Sequence, residues 1–260
     1  QQDIAIEFKN VSKIYKLKRK DKEVKKDEKT QFFYALKDLS FQVKKGQVLG
    51  ILGTNGSGKS TTVNMISGVY IQNKGTITFD GKEIPTKMSI ADRAKLGIAR
   101  TFQTPKPFAH LNVFDNIYTI ALQQNSKAQA VELTNEILNL TKLYDLKDTK
   151  SAKLSIEKRK WMDLARCMAT KPKIIMMDEV MAGLNPSEME SSLDLIRTIN
   201  KEGITVLFIE HVMKAVVSVC TRAIVLNQGK LLCEGEPRTV LNDPQVVAAY
   251  LGGEANVTGN

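Results

Sequence analysis

Alternating and continuous apolar segments predict a strand-rich N-terminal part of the chain. Strands are predicted over residues 4–8, 39–43, 47–52 and 75–79. The strand at 47–52 leads directly into a glycine-rich segment, and residues 60–68 then have the pattern of a helix. The first part of the chain is therefore expected to hold a strand, a loop and a helix in immediate succession.

The rest of the chain changes character twice. Helical periodicity dominates residues 113–170, most clearly in the stretch AVELTNEILNL. Strands and helices then alternate, with predicted elements at 173–177, 186–200, 205–209, from His211 onward, and 223–226. Such alternation is typical of a mainly parallel sheet with helices on both faces.

Length and charge limit the classes of protein to be considered. A chain of 260 residues can form one compact domain, or a large domain with an inserted subdomain. The net charge is +10, and residues 16–29 contain eight basic and four acidic side chains. This run is interpreted as a solvated excursion between two strands, or as a patch that contacts an anionic membrane surface. No aromatic residues interleave with the charges, so a nucleic-acid partner is not predicted.

A phosphate-binding motif is the most specific signal in the sequence. Residues 53–60, GTNGSGKS, match GxxxxGK followed by Ser or Thr. The glycines allow backbone N–H groups to form an anion nest, and the next helix points its positive end at the phosphates. Lys59 is expected to reach the β- and γ-phosphates and Ser60 to bind Mg²⁺. The predicted ATP-binding residues of the loop are Gly53, Asn55, Gly56, Ser57, Gly58, Lys59, Ser60 and Thr61.

Two carboxylates follow a second apolar strand, in KIIMMDE. Ligands of parallel sheets collect at the carboxyl ends of the strands. Asp178 is therefore predicted to hold Mg²⁺, directly or through water, and Glu179 to polarise an attacking water. His211 follows the next strand and should reach the same edge, close to the γ-phosphate and the water. The alternatives are that the acids simply begin a loop and that the histidine is a surface residue.

The order of these elements resembles the ATP-binding subunit of an ABC transporter, from about Ile4 to Gly253. Thr101-Phe102-Gln103-Thr104 matches the glutamine loop of that family. The resemblance implies that Gln103 senses the γ-phosphate and Mg²⁺, and that Glu179 and His211 act in catalysis. It also implies that the helical segment after Gln103 grips transmembrane permease subunits.

Within that family, several stretches resemble the ATPases of branched-chain amino acid importers and their urea or amide relatives. They are LGIARTFQTPKPFAHLNVFDNI, ARCMATKPKIIMMDE, AGLNPSE and the ending LNQGKLLCEGEP…NDPQVVAAYLG. Lipopolysaccharide-export ATPases share much of the same pattern, so the substrate stays open. The aromatic residue that stacks on adenine is expected at Tyr15, with Phe33 and Tyr34 as alternatives; all three could equally be packing residues.

The signature segment departs from the family pattern LSGGQ. Here it consists of Leu154 followed by Ser155, Ile156, Glu157 and Lys158. Ser155 can still cap the helix and donate to a phosphate of the other subunit. Glu157 competes with a phosphate for the N–H groups at the helix N-terminus. Its charge also repels a γ-phosphate by about 3 kcal/mol, at a distance of about 5 Å and an effective dielectric constant near 20. Lys158 partly offsets this repulsion.

This departure favours a heterodimer with a second ATPase subunit. Asn185 stands where many relatives have the aspartate of the D-loop, which also agrees with a specialised partner.

The predicted fold is an α/β P-loop NTPase with a mainly parallel sheet, an N-terminal antiparallel β region and an inserted α-helical subdomain. The predicted domain ranges are 3–100 with 171–252 for the ATP-binding core, 101–170 for the helical subdomain with the Q-loop and signature, 16–31 for a charged insertion, and 253–260 for a flexible tail.

The predicted function is that of an ATP-hydrolysing subunit of a membrane importer for a small solute, such as a branched-chain amino acid. Its expected place is the cytoplasmic side of a bacterial inner membrane, held there by permease subunits. The alternatives are the ATPase of a lipid or polysaccharide exporter, and a regulatory module that binds ATP but hydrolyses it weakly.

Overall fold

The computed structural model describes residues 3–16 and 32–255. The predicted charged insertion therefore lies outside the described residues, apart from Lys16, as do residues 256–260 of the predicted tail. The strands are β1 (Ile4–Lys16), β2 (Phe32–Lys44), β3 (Val48–Leu52), β4 (Lys74–Phe79), β5 (Lys82–Glu83), β6 (Ile98–Arg100), β7 (Ile174–Asp178), β8 (Thr205–Ile209), β9 (Arg222–Asn227) and β10 (Lys230–Gly235). The α-helices are α1 (Lys59–Ser67), α2 (Ile90–Lys95), α3 (Val113–Ala121), α4 (Lys127–Leu140), α5 (Ile156–Met168), α6 (Pro186–Lys201), α7 (Met213–Val219), α8 (Pro237–Leu241) and α9 (Pro244–Ala255).

The larger sheet has six strands in the order β10-β9-β3-β8-β7-β6. All neighbouring pairs are parallel except β9 with β10. Strands β3, β7 and β8 are buried along their whole length, as expected for parallel strands covered on both faces. The predicted mainly parallel sheet is confirmed.

Alternate side chains of the central strands enter two separate cores. Leu49 and Ile51 of β3 pack with the N-terminal sheet and with α1. Val48 and Leu52 of the same strand pack with the helices that follow β6 in the chain. Because successive strand residues point to opposite faces, one apolar strand supports both layers.

The N-terminal sheet is antiparallel, with the strand order β2-β1-β4-β5, as predicted. Its first two strands are much longer than the segments 4–8 and 39–43 that alternate in the sequence. Asn10 and Asp38 have positive φ values of 49° and 50°, and the β1–β2 register shifts between Phe8 and Val11. These irregularities interrupt the alternation, so the pattern ends before the strands do.

Several predicted boundaries at the ends of elements were wrong by a few residues. Strand β7 extends to Asp178, so this carboxylate belongs to the strand itself. The helix predicted from His211 begins at Met213, which leaves His211 in the connection after β8. Helix α9 continues to Ala255, past the point where the tail was expected to begin. Within the described residues, no helix is both long and apolar enough to span a bilayer.

Candidate active site

The phosphate loop connects β3 to α1 and has the backbone of an anion nest. Gly56 and Gly58 have positive φ values of 77° and 109°. A Cβ at Gly53 would collide with Ser57 Oγ and the Leu226 carbonyl, so only glycine fits there. Gly58 is the N-cap of α1 and provides no side-chain cap to its first N–H groups. Ser57 Oγ is buried without a hydrogen-bond partner. The first N–H groups of α1 and the Ser57 hydroxyl are therefore donors that could bind a polyphosphate.

Lys59 is folded back along this loop. Its ammonium donates to the carbonyls of Gly53 at 2.6 Å and Thr54 at 3.0 Å, and the residue is only 6% exposed. Burial lowers the pKa of Lys59, although the carboxylates of Glu179 and Asp178 oppose that effect. The loop therefore contains a buried cation that an anionic ligand would stabilise.

Glu179 lies between the two other predicted catalytic side chains. Its Oε1 is 2.8 Å from His211 Nε2, and its Oε2 accepts a hydrogen bond from Gln103 Nε2. Strand pairing explains the first contact, because Asp178 is in register with Ile209 at the ends of β7 and β8. The structure thus brings Gln103, Glu179 and His211 together at one sheet edge.

The residues predicted to bind Mg²⁺ are only partly arranged around a common point. Ser60 faces the pocket beside the phosphate loop. Asp178 Oδ2 is instead paired with Arg100 Nη2 at 3.1 Å, and Gln103 is turned towards Glu179. The three side chains offer hydroxyl, carboxylate and amide oxygens, which is the donor chemistry that Mg²⁺ prefers. Arg100 was missed by sequence reasoning, because β6 is too short to carry a periodic signal.

A pocket of about 300 Å³ lies beside the loop and contains most of the predicted site. Its lining includes Tyr15, Phe33, Tyr70, Asn55, Gly56, Ser57, Gly58, Lys59, Ser60, Thr61, Glu179 and His211. Tyr15 and Phe33 are cross-strand partners in β1 and β2, and Tyr15 meets Tyr70 edge-to-face at 6.4 Å. Tyr34 is not part of this lining, and its ring instead faces Lys37 Nζ at 5.3 Å. We therefore do not assign adenine stacking to Tyr34.

Two tyrosines near the loop were not found from the sequence. Tyr70 follows α1 and adds an aromatic wall to the pocket. Tyr250, on the C-terminal helix α9, accepts a hydrogen bond from the Gly53 backbone N–H at 2.9 Å. Neither residue belongs to a motif with a mechanism, so no sequence signal pointed to them.

The signature segment forms the start of α5. Ser155 Oγ accepts from the Lys158 backbone N–H at 3.3 Å and caps the helix, as expected. Glu157 is buried and its Oε2 lies 3.3 Å from Lys158 Nζ, which itself sits over the Trp161 ring. Ile156 is 58% exposed beside them. An apolar side chain and a paired acid thus occupy the surface where the family pattern has glycines.

Asn185, the predicted D-loop residue, caps helix α6. Its Oδ1 accepts from the Glu188 N–H at 2.9 Å, and Glu188 Oε2 accepts from the Asn185 N–H at 2.9 Å. An asparagine is therefore accounted for at this position by its role in a reciprocal capping box at the start of α6.

The aromatic pair in the pocket leads to a test by substitution. Tyr15→Ala and Phe33→Ala are each expected to weaken ATP binding, because stacking of a base on an aromatic ring contributes about 1–3 kcal/mol. Tyr34→Ala is the matched control and should leave the affinity within about twofold. Titration with a fluorescent ATP analogue measures all three. An effect confined to Tyr34→Ala would contradict this assignment of the adenine pocket.

A parallel α/β sheet with a phosphate loop after one strand and an acidic pair after another defines a P-loop nucleoside triphosphatase. The chain belongs to the ABC transporter family, whose profile matches residues 36–182. The profile described as branched-chain amino acid ATP-binding cassette transporter matches residues 230–256. The predicted resemblance, the ATP-binding fold and membership among the ATPases are therefore confirmed.

Relatives with curated names include ATP-binding proteins of branched-chain amino acid transport and of lipopolysaccharide export. A probable branched-chain amino acid transport ATP-binding protein LivG of Methanocaldococcus jannaschii is 34% identical over 238 residues, covering 85% of this chain and 92% of that protein. The lipopolysaccharide export system ATP-binding protein LptB of Acidithiobacillus ferridurans is 33% identical over 223 residues, covering 85% and 92%. The chain is thus similar to ATP-binding proteins of two different transport systems.

Solved structures support the same fold. The ADP conformation of an ATP-binding cassette of an ABC transporter has a TM-score of 0.81 and 31% identity, covering 96% of this chain and 99% of that one. A dimeric structure of a bacterial ABC transporter cassette has a TM-score of 0.74 and 25% identity, covering 90% and 99%.

Proposed function

We propose that this chain is the ATP-hydrolysing subunit of an importer for a small solute such as a branched-chain amino acid. It would act on the cytoplasmic side of a bacterial inner membrane, bound to permease subunits. The observation that carries the importer assignment is the match of residues 230–256 to the branched-chain amino acid transporter profile. This segment contains Tyr250, whose hydroxyl accepts from the Gly53 N–H, so the segment is anchored to the phosphate loop.

The chain's own residues can perform the steps of hydrolysis in sequence. The loop N–H groups and Lys59 bind the phosphates of the substrate ATP. Glu179 orients water and accepts its proton once Gln103 releases Oε2. His211 holds the opposite carboxylate oxygen and keeps the side chain pointed at the site. Bound Mg²⁺, held by Ser60, Asp178 and Gln103, would neutralise the charge that develops on the phosphates.

We further propose that the complete site includes a signature helix from a second, different ATPase subunit. The relative solved as a dimer supports pairing of two cassettes. In this chain the P-loop side of the site is intact, whereas its signature surface carries Ile156 and the buried acid Glu157. The chain is therefore better suited to hydrolyse its own ATP than to complete the site of its partner.

The role of Glu157 can be tested by removing its charge. Glu157→Gly and Glu157→Gln should both raise ATP turnover by the complete transporter by up to about twofold, because the second site then contributes beside the efficient one. The reason is that repulsion of the partner's γ-phosphate, about 3 kcal/mol before the offset from Lys158, is removed. Steady-state turnover by the purified complex measures the change. If the glycine variant gains activity and the glutamine variant does not, shape rather than charge limits the signature.

The importer assignment is tested by uptake of labelled leucine, isoleucine and valine in the source cells carrying chromosomal Glu179→Gln. Uptake is expected to fall to the level of a strain that lacks the gene. Unchanged uptake of all three, together with altered cell-envelope lipid or polysaccharide, would favour the exporter. That second function is supported by the similarity to an ATP-binding protein of lipopolysaccharide export.

A third function, a regulatory module that binds ATP but hydrolyses it weakly, is supported by Glu157 alone. The contacts of Glu179 with Gln103 and His211 speak against it. It would be favoured if the purified complex turned ATP over at the same rate with wild-type chain and with Glu179→Gln.

A further inference from the structure

The backbone directly after β7 has an unusual conformation at the proposed catalytic base. Glu179 has a φ of 51°, in the left-handed region that side chains other than glycine and asparagine rarely adopt. Its own N–H donates to Ile209 O at 2.9 Å, so the start of the turn is tied to β8. A residue in such a conformation persists only where its surroundings hold it there.

Lys160 supplies part of that support from helix α5. The side chain is 7% exposed, and its ammonium donates to Ala182 O at 2.5 Å, Val180 O at 2.9 Å and Glu179 O at 3.5 Å. The ammonium thus donates to the carbonyls of three of the four residues from 179 to 182. Burial lowers the pKa of Lys160, and the nearby Glu210 and Glu179 carboxylates oppose that effect.

Glu210 supplies support for the same segment from the end of β8. The residue is 2% exposed, and its Oε1 accepts from the Met181 N–H at 2.8 Å. Burial raises its pKa to about 7, although hydrogen bonds from the backbone N–H groups of Met181 and His211 lower it. Glu210 directly precedes His211, the side chain that contacts Glu179 Oε1.

One short segment, residues 179–182, is therefore held by a buried donor and a buried acceptor. Lys160 donates to its carbonyl groups, and Glu210 accepts from one of its N–H groups. We propose that Lys160 and Glu210 are positioning residues for ATP hydrolysis, which fix the Glu179 carboxylate by clamping the backbone behind it. The proposal rests on the role of Glu179 as the base in the proposed function. Neither side chain lines the nucleotide pocket, so neither acts on ATP directly.

The test measures kcat and KM for ATP in the transporter complex purified through this chain. Lys160→Met keeps the apolar stem but removes the donors, and it should lower kcat by about 10- to 100-fold, because a shift of about 1 Å in a reacting group costs this much. The KM for ATP and the Kd for ADP should stay within about twofold. Lys160→Arg should recover part of the rate. Lys201→Met, at the exposed last residue of α6, is the control for removing a lysine from a helix.

Glu210→Leu should reduce kcat in the same way, and Glu210→Gln, which keeps an acceptor oxygen, should reduce it less. An unchanged kcat in Lys160→Met, or a loss of ADP binding equal to the loss of rate, overturns the proposal. Glu179→Gln is measured alongside. If it hydrolyses ATP normally, the base assignment itself fails; if it is inactive while Lys160→Met is fully active, only the clamp fails.

Discussion

Lys59→Met is expected to weaken ATP binding by about a hundredfold, the largest effect on affinity of any single substitution in this chain. Hydrogen bonds to charged groups contribute about 1.5–3 kcal/mol each, and loss of about 3 kcal/mol corresponds to a hundredfold change in Kd. The ammonium lies within the loop, 2.6 Å from Gly53 O. Methionine keeps the stem but cannot donate.

Isothermal titration with ATP and with ADP measures this loss. ADP affinity should fall less than ATP affinity, because the γ-phosphate contact is absent. Lys95→Met is the matched control, since Lys95 pairs with Asp92 on the exposed side of α2. A Kd for ATP within threefold of the wild-type value would show that Lys59 does not contact the phosphates.

Glu179→Gln is expected to lower the rate of hydrolysis by about 10² to 10⁴, the usual contribution of a positioned general base. The substitution keeps the length of the side chain and its contact with the His211 ring, but the amide cannot accept the proton of water. ATP affinity should be preserved, because the phosphate loop is untouched. Single-turnover assays, which separate chemistry from binding and release, measure the effect.

The retained affinity is the control for this second prediction. A variant that neither binds nor hydrolyses ATP would indicate a damaged site rather than a missing base. A variant that hydrolyses ATP at more than a tenth of the wild-type rate would contradict the role given to Glu179. His211→Ala should have a smaller effect, since it removes a contact that orients the carboxylate but leaves the carboxylate itself in place.

Local motifs made the phosphate loop and the acidic pair predictable from the sequence. The loop residues are contiguous, and their glycines are required by the backbone wherever the segment occurs. Asp178 ends an apolar strand that Glu179 follows, and His211 comes after the neighbouring strand, so strand order alone brings Glu179 and His211 together. No information on side-chain packing was needed for these assignments.

Contacts between distant parts of the chain could not be predicted in this way. Tyr250 reaches Gly53 only because α9 packs against α8 and β10, and Arg100 reaches Asp178 only because β6 pairs with β7. The choice among Tyr15, Phe33 and Tyr34 depended on the β1–β2 register, whose bulges are not visible in the sequence. In each case the chemistry of the residue is ordinary, and the tertiary arrangement decides its role.

Glu157, the buried acid in the signature segment, is the largest departure from the family pattern. Sequence reasoning recognised the charge of Glu157, and the structure adds that the carboxylate is buried and paired with Lys158. That pairing weakens its field without removing its volume. The expected consequence is an asymmetric transporter in which the site on this chain's P-loop carries the hydrolysis.

ATP turnover by the purified transporter tests this claim most directly, with the complex assembled from either wild-type chain or Glu179→Gln. The asymmetric account predicts that turnover falls about a hundredfold or more, because the only efficient site contains this glutamate. Turnover that stays near half of the wild-type rate would contradict it, since the site completed by this chain's signature would then be active as well.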